Sequence, residues 1–176
     1  MSFWNGPNAL TILRIALVPV FIALLVIEAN RWFALAVFLL AALTDLVDGW
    51  WARRSSIITD FGKLADPIAD KALTGAAWLG LSWIGELPWA ATALILMREV
   101  GITLWRLRVA DRVVVAADRG GKWKTALQIL TISLWLVFYG LSQSSDAALL
   151  ALLWLTVAFT TFTGVRYASA LAARRG

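Results

Sequence analysis

The chain has no cysteine and no histidine. Their absence removes disulfides, Cys or His zinc sites, thiol nucleophiles and every imidazole-based triad. Charge is scarce too: 15% of the 176 residues are charged and 61% are hydrophobic, with a mean hydropathy of +0.77. A soluble domain of this size has no core large enough to hide that much apolar surface, so lipid is the expected solvent for most of it. Any chemistry must therefore run on carboxylates, Arg, Lys and hydroxyls. Residues 1–7 lack a basic n-region and no small-residue cleavage site follows the first apolar stretch, so that stretch is expected to stay as a membrane span. There is no internal repeat and no low-complexity tract.

What is present is a series of six long apolar stretches, at about 10–28, 32–53, 64–84, 87–108, 123–141 and 147–170. Each is close to the roughly 20 residues that a spanning helix needs. The expected fold is all-α, an integral membrane bundle of six transmembrane helices forming one domain over residues 1–176. A short interfacial segment over residues 1–7, with Phe3 and Trp4, precedes it. The breaks carry turn formers or charge and are short enough to make successive helices antiparallel neighbours. Arg53, Arg54, Lys63, Arg106, Arg108, Arg112, Arg119, Lys122, Lys124, Arg174 and Arg175 fall on one side of the membrane. The other side has Arg31 alone, among Glu28, Glu86 and Asp146. The positive-inside rule then puts both termini and the second and fourth loops in the cytoplasm, as in a multi-pass protein of the cell membrane. It also accounts for the pI near 10.2 without nucleic acid. Most of the eleven tryptophans, among them Trp32, Trp50, Trp51, Trp83, Trp89 and Trp123, lie near span ends and read as interfacial anchors.

Ionisable residues inside a span are costly, by roughly 2.5–3.5 kcal/mol each at a helix centre, and point to function. Asp45 and Asp48 are three apart at the cytoplasmic end of the second span; Asp66 and Asp70 are four apart at the start of the third. Each pair shares one helical face, and the short loop between the helices is expected to bring both pairs to similar depth. Two carboxylates 4 Å apart repel by about 4 kcal/mol at an effective dielectric of 20, so such a cluster needs protons or cations. All-oxygen ligation without His or Cys fits Mg²⁺ or Mn²⁺, and two pairs of acids suffice for two ions. A proton or ion relay in a six-span transporter is the competing explanation for intramembrane acids.

From Asp45 the sequence runs Asp-x2-Asp-Gly-x2-Ala-Arg-x8-Gly-x3-Asp-x3-Asp, with Gly49, Ala52, Arg53, Gly62, Asp66 and Asp70 in register. This motif resembles that of the CDP-alcohol phosphotransferase family at every fixed position. A transporter has no reason to keep the two glycines, the alanine and the arginine at these offsets, and an inactive partner subunit has none to keep all four aspartates. Gly49 and Gly62 clear side chains from the acid-lined faces, and Arg53 offers a planar fork to a phosphate. Plain helix packing also explains the glycines.

The resemblance implies a CDP-diacylglycerol-dependent phosphatidyltransferase of phospholipid biosynthesis, usually a homodimer. It implies that Asp45, Asp48, Asp66 and Asp70 bind two divalent ions and that Asp70 also takes the proton from the attacking alcohol. It places the donor nucleotide on Asn8, Ala9, Leu10 and Thr11, just before the first span, and on Gly49, Arg53 and Thr59. Helix capping is the alternative role for Asn8 and Thr11. For the acceptor, Arg98 inside the fourth span, with Arg106, Lys122 and Lys124, supplies more positive charge beside the site than two metal ions require; positive-inside bias accounts for Arg106 but poorly for Arg98, and an anionic acceptor is expected. Asn8, Leu10, Thr11 and Arg14, then Arg98 and Glu99, then Gly121 to Thr125 with Gln128, look like the bacterial branch of the family that makes phosphatidylglycerophosphate from glycerol 3-phosphate. Branches that make phosphatidylinositol phosphate or, with phosphatidylglycerol as acceptor, cardiolipin remain open.

Overall fold

The computed structural model describes the backbone of residues 6–27, 30–55, 60–109, 119–138 and 143–173. Inside its helices, the side chains of residues 6–8, 45–46, 48–55, 60–70, 106–109, 119–120, 143–145 and 170–173 lie outside the described set. Six helices follow in order: α1 Gly6–Val26, α2 Arg31–Ser55, α3 Asp60–Trp83, α4 Trp89–Val109, α5 Arg119–Phe138 and α6 Gln143–Ala173. Among the described residues there is no strand. The all-α expectation holds, with one helix for each predicted span.

Every helix has at least 20 residues, about 30 Å at 1.5 Å per residue, which is the thickness of a hydrocarbon core. Two of them, through Ala9–Val26 and Asp146–Ser169, hold a sufficiently long, nearly uncharged apolar stretch to count as spans by composition. Among the described residues α2 offers the shorter apolar stretch Arg31–Thr44, and charge enters α4 at Arg98 and Glu99 and α5 at Lys122 and Lys124. Helices also run further into the charged connections than apolar content alone indicates. Ser55 and Asp60 leave only residues 56–59 between α2 and α3, and Arg119 opens α5.

Backbone chemistry sets several of these ends. Asn30 caps α2, its Oδ1 accepting the Trp32 N–H at 2.9 Å while its carbonyl accepts from Phe33. At the end of α3, Gly85 takes φ +81°, its N–H donates to the Ser82 carbonyl, and the Glu86 N–H donates to the Leu81 carbonyl. That is a Schellman stop, and only glycine adopts its left-handed backbone without strain.

The chain divides into two units, Met1–Glu86 and Leu87–Gly176. In the first, α1 packs extensively against both α2 and α3, whereas α2 and α3 meet over a much shorter stretch. α2 and α3 remain neighbours, as expected, and α1 is their shared partner. Small residues make this possible, because helices in lipid gain little from hydrophobic burial and depend on close van der Waals approach. Ala34, Ala41, Ala42 and Ala77 are buried, and a Cβ at Gly80 would meet Leu25 Cδ1 at 2.9 Å and Ile22 Cδ1 at 3.1 Å. Phe21 and Phe38 stack at 5.6 Å between centroids. At the same end of the unit Arg31 bridges Glu86 at 2.5 Å, so the lone cation expected on that side is paired.

In the second unit α6 is the shared partner, packing against α4 and α5. Its core holds Ile132, Trp135, Leu136, Leu149, Leu153 and Val157. Hydroxyls join the helices as well: Thr131 and Thr156 hydrogen-bond at 2.7 Å, and Gln128 Nε2 donates to Thr160 Oγ1. Trp32, Trp83, Trp89 and Trp123 are exposed near helix ends, as interfacial anchors require, while Trp78 and Trp135 are core residues.

Candidate active site

The first unit builds its site from three stripes at heptad-like spacing. On α1, Thr11, Arg14, Phe21 and Leu25 are buried; on α2, Ala34, Phe38 and Ala41; on α3, Leu73, Ala77, Gly80 and Leu81. Extending the α2 stripe by steps of four and three reaches positions 45 and 48. Extending the α3 stripe backward by three and four reaches positions 70 and 66. All four aspartates thus occupy the stripes by which their helices pack. Their depths match too. Asp45 is ten residues before the end of α2 and Asp70 ten after the start of α3. At 1.5 Å per residue each lies about 15 Å from the connection between the two helices, and Asp48 and Asp66 lie about 10 Å from it. The backbone therefore puts the four positions at two corresponding levels. Their side chains are outside the described residues, as are those of Asn8, Gly49, Arg53 and Arg106, and Thr59 lies outside altogether.

The segment carrying Asn8, Ala9, Leu10 and Thr11 was expected to precede the first span. It is instead part of α1, which starts at Gly6. Asn8 and Thr11 are thus inside the helix rather than at its cap. Ala9 is exposed, Leu10 half-buried and Thr11 1% exposed.

In the second unit, two of the four residues expected to meet an anionic acceptor come together around Glu99, which the sequence marked only as part of a family pattern and not as an acceptor residue. Glu99 Oε1 accepts from Lys124 Nζ at 2.5 Å and from Arg98 NH1 at 3.0 Å. All three side chains are largely buried, at 10–15% exposure. Arg98 lies across α6, where NH2 donates to Thr163 Oγ1 at 3.4 Å. A Cβ at Gly164 would sit 2.8 Å from Arg98 Cγ and 2.9 Å from Nε, so the glycine makes room for the guanidinium stem. Arg98 Nε is buried without a hydrogen-bond partner among the described residues. Two cations share one carboxylate here, in a low-dielectric setting where guanidinium and ammonium groups attract an anion strongly. Lys122 is exposed and stands apart from this triad.

Among the described residues no three acids cluster as a metal site. The four aspartate positions do fit one: a donor set of carboxylates alone, on neighbouring helices at matched depth, suits hard divalent cations.

Comparison with known proteins agrees with this chemistry. The profile of the CDP-alcohol phosphatidyltransferase family matches residues 4–162. The chain is 43% identical over 168 residues to the "Probable phosphatidylglycerophosphate synthase" of Mycobacterium tuberculosis strain H37Rv, covering 93% of this chain and 79% of that protein. It is 37% identical over 185 residues to the "CDP-diacylglycerol--glycerol-3-phosphate 3-phosphatidyltransferase" of Bacillus subtilis strain 168, covering 94% of each. It is 36% identical over 171 residues to the protein of the same name from Rickettsia typhi, covering 93% of this chain and 94% of that one. With a profile match over most of its length, relatives this similar and an unbroken motif on α2 and α3, the chain belongs to the CDP-alcohol phosphatidyltransferase family of membrane enzymes.

Proposed function

We propose that the chain transfers a phosphatidyl group from CDP-diacylglycerol to glycerol 3-phosphate, giving phosphatidylglycerophosphate and CMP. The observation that carries this is the full aspartate motif at matched depths on α2 and α3, in a chain whose relatives are named for that reaction. Asp45, Asp48, Asp66 and Asp70 would hold two divalent ions, Mg²⁺ or Mn²⁺. The ions, when bound, neutralise the diphosphate of the donor. Asp70 accepts the proton of the glycerol 3-phosphate hydroxyl as its oxygen bonds to the phosphatidyl phosphorus. The bond from that phosphorus to the bridging oxygen breaks, and CMP leaves with the electron pair.

The donor nucleotide lies along Asn8, Ala9, Leu10, Thr11, Gly49, Arg53 and Thr59. Thr11 supports this by being buried on the stripe of α1 that faces its neighbours. Arg98 and Lys124 bind the acceptor phosphate, supported by their meeting on a shared carboxylate; Arg106 and exposed Lys122 draw the anion in. The two units work as one domain over residues 1–176, supported by a family match that runs through both. All six helices cross the membrane, the active site faces the cytoplasm, and the enzyme is a homodimer. A site at that boundary lets the lipid donor enter laterally and the water-soluble acceptor enter from the cytosol.

The test is CMP release from CDP-diacylglycerol by purified protein with Mg²⁺. Glycerol 3-phosphate, inositol phosphate, phosphatidylglycerol, serine and no acceptor are each tried with and without EDTA. Chelator-sensitive release with glycerol 3-phosphate alone is expected. Release with another acceptor keeps the mechanism and replaces the substrate; no release from folded protein contradicts both.

A further inference from the structure

Arg14 is a full-length cation in the middle of an apolar helix and only 1% exposed. A buried guanidinium is tolerated only where anions compensate it, and its interactions in this structure are real rather than absent. Contacts elsewhere along the helices locate it. α1 and α2 run antiparallel with Phe21 against Phe38. Counting seven residues back along α1 and seven forward along α2 sets Arg14 level with Asp45. α1 and α3 run parallel with Gly80 against Ile22 and Leu25. The same offset sets Arg14 level with residues 69–72, which include Asp70. Position 14 also lies on the buried stripe of α1, as positions 45 and 70 lie on those of α2 and α3.

Other charges of the unit do not compete for this role. Glu86 is taken by Arg31 at the far end. Asp60 opens α3, ten residues before Asp70. Arg53, Arg54 and Lys63 lie toward the connection between α2 and α3. Lys71 is half-buried and, one position on from Asp70, is turned about 100° from the stripe.

We infer that Arg14 is a positioning residue, the built-in counter-charge of the aspartate site. It partly neutralises the four acids so that they can share a low-dielectric site before divalent ions arrive, and it lowers the affinity of the site for those ions. The inference rests on the aspartates being the metal site. It predicts an opposite pair of effects that a packing role does not produce: a variant without the charge is less stable without metal, yet binds metal more tightly.

The test uses full-length protein in detergent, with Mn²⁺ binding followed by electron paramagnetic resonance and melting temperature measured in EDTA and in saturating Mn²⁺. For Arg14→Met the Mn²⁺ dissociation constant is expected to fall by about tenfold, the effect of removing one nearby like charge. Its melting temperature is expected to drop by about 5 °C or more in EDTA and to return toward wild type with Mn²⁺. Arg14→Lys keeps the charge and is expected to stay near wild type in both. Equal destabilisation with and without Mn²⁺, unchanged or weaker Mn²⁺ binding, Arg14→Lys behaving like Arg14→Met, or failure of Arg14→Met to fold even in Mn²⁺ would each overturn the inference. Wild-type protein that binds no Mn²⁺ would instead sink the metal-site reading beneath it.

Discussion

The two units use one packing scheme for opposite charge chemistry. In each, one mostly apolar helix, α1 or α6, is the partner of two others that carry more of the charges. The first unit buries one arginine on α1 and carries four acid positions in register with the packing stripes of α2 and α3; the second places two cations on one largely buried acid, with hydroxyl pairs further along. Acid-rich helices suit metal and the diphosphate donor, and paired cations suit an anionic acceptor. The lesson is that lipid-embedded charge persists when small residues let helices approach closely and each charge is answered by another.

The largest expected effect falls on the first unit. Asp70→Asn removes the proposed base and one metal ligand, and the rate of CMP release should fall by at least about 10²–10⁴-fold, the usual worth of a general base. Next comes the anchor of the second unit. Glu99→Gln leaves two buried cations without their carboxylate, so thermal unfolding should show a loss of about 3–5 kcal/mol. Gly80→Val forces α1 away from α3 against Leu25 and Ile22, and overpacking of this kind should cost about 1–3 kcal/mol in a denaturation midpoint series. Gly85→Ala strains a left-handed turn and should cost about 1 kcal/mol. Smallest is Arg31→Met: this pair is half-exposed on the arginine side, so its loss should cost less than about 1 kcal/mol. A cost for Arg31→Met as large as for Glu99→Gln would break the contrast between buried and exposed charge.

Much of this was legible in the sequence because the bilayer imposes so few options. Apolar runs near 20 residues can only be helices when lipid is the solvent, and all six appear within a few residues of their expected places. Their ends were less legible, because hydropathy fades at Ser55, Asp60 and Arg119 while backbone hydrogen bonding continues. The heptad-like offset from Ala41 to Asp45 and Asp48 was already in the chain, but only the observed burial of Ala34, Phe38 and Ala41 shows that this face is a packing face. Glu99 stood in plain view beside Arg98. Its meaning depended on Lys124, 25 positions on, and on Gly164 in a third helix, which no local spacing connects. Arg14 belonged to a recognised pattern, yet its burial and its level with Asp45 and Asp70 follow only from the contacts of Phe21 and Gly80.

The division of labour is tested most directly by steady-state kinetics of Arg98→Met, varying glycerol 3-phosphate and CDP-diacylglycerol in turn. The account predicts that KM for glycerol 3-phosphate rises about tenfold or more, the usual worth of a charge-assisted hydrogen bond to phosphate, while KM for CDP-diacylglycerol stays within about twofold. A rise in the donor KM with the acceptor KM unchanged would contradict it.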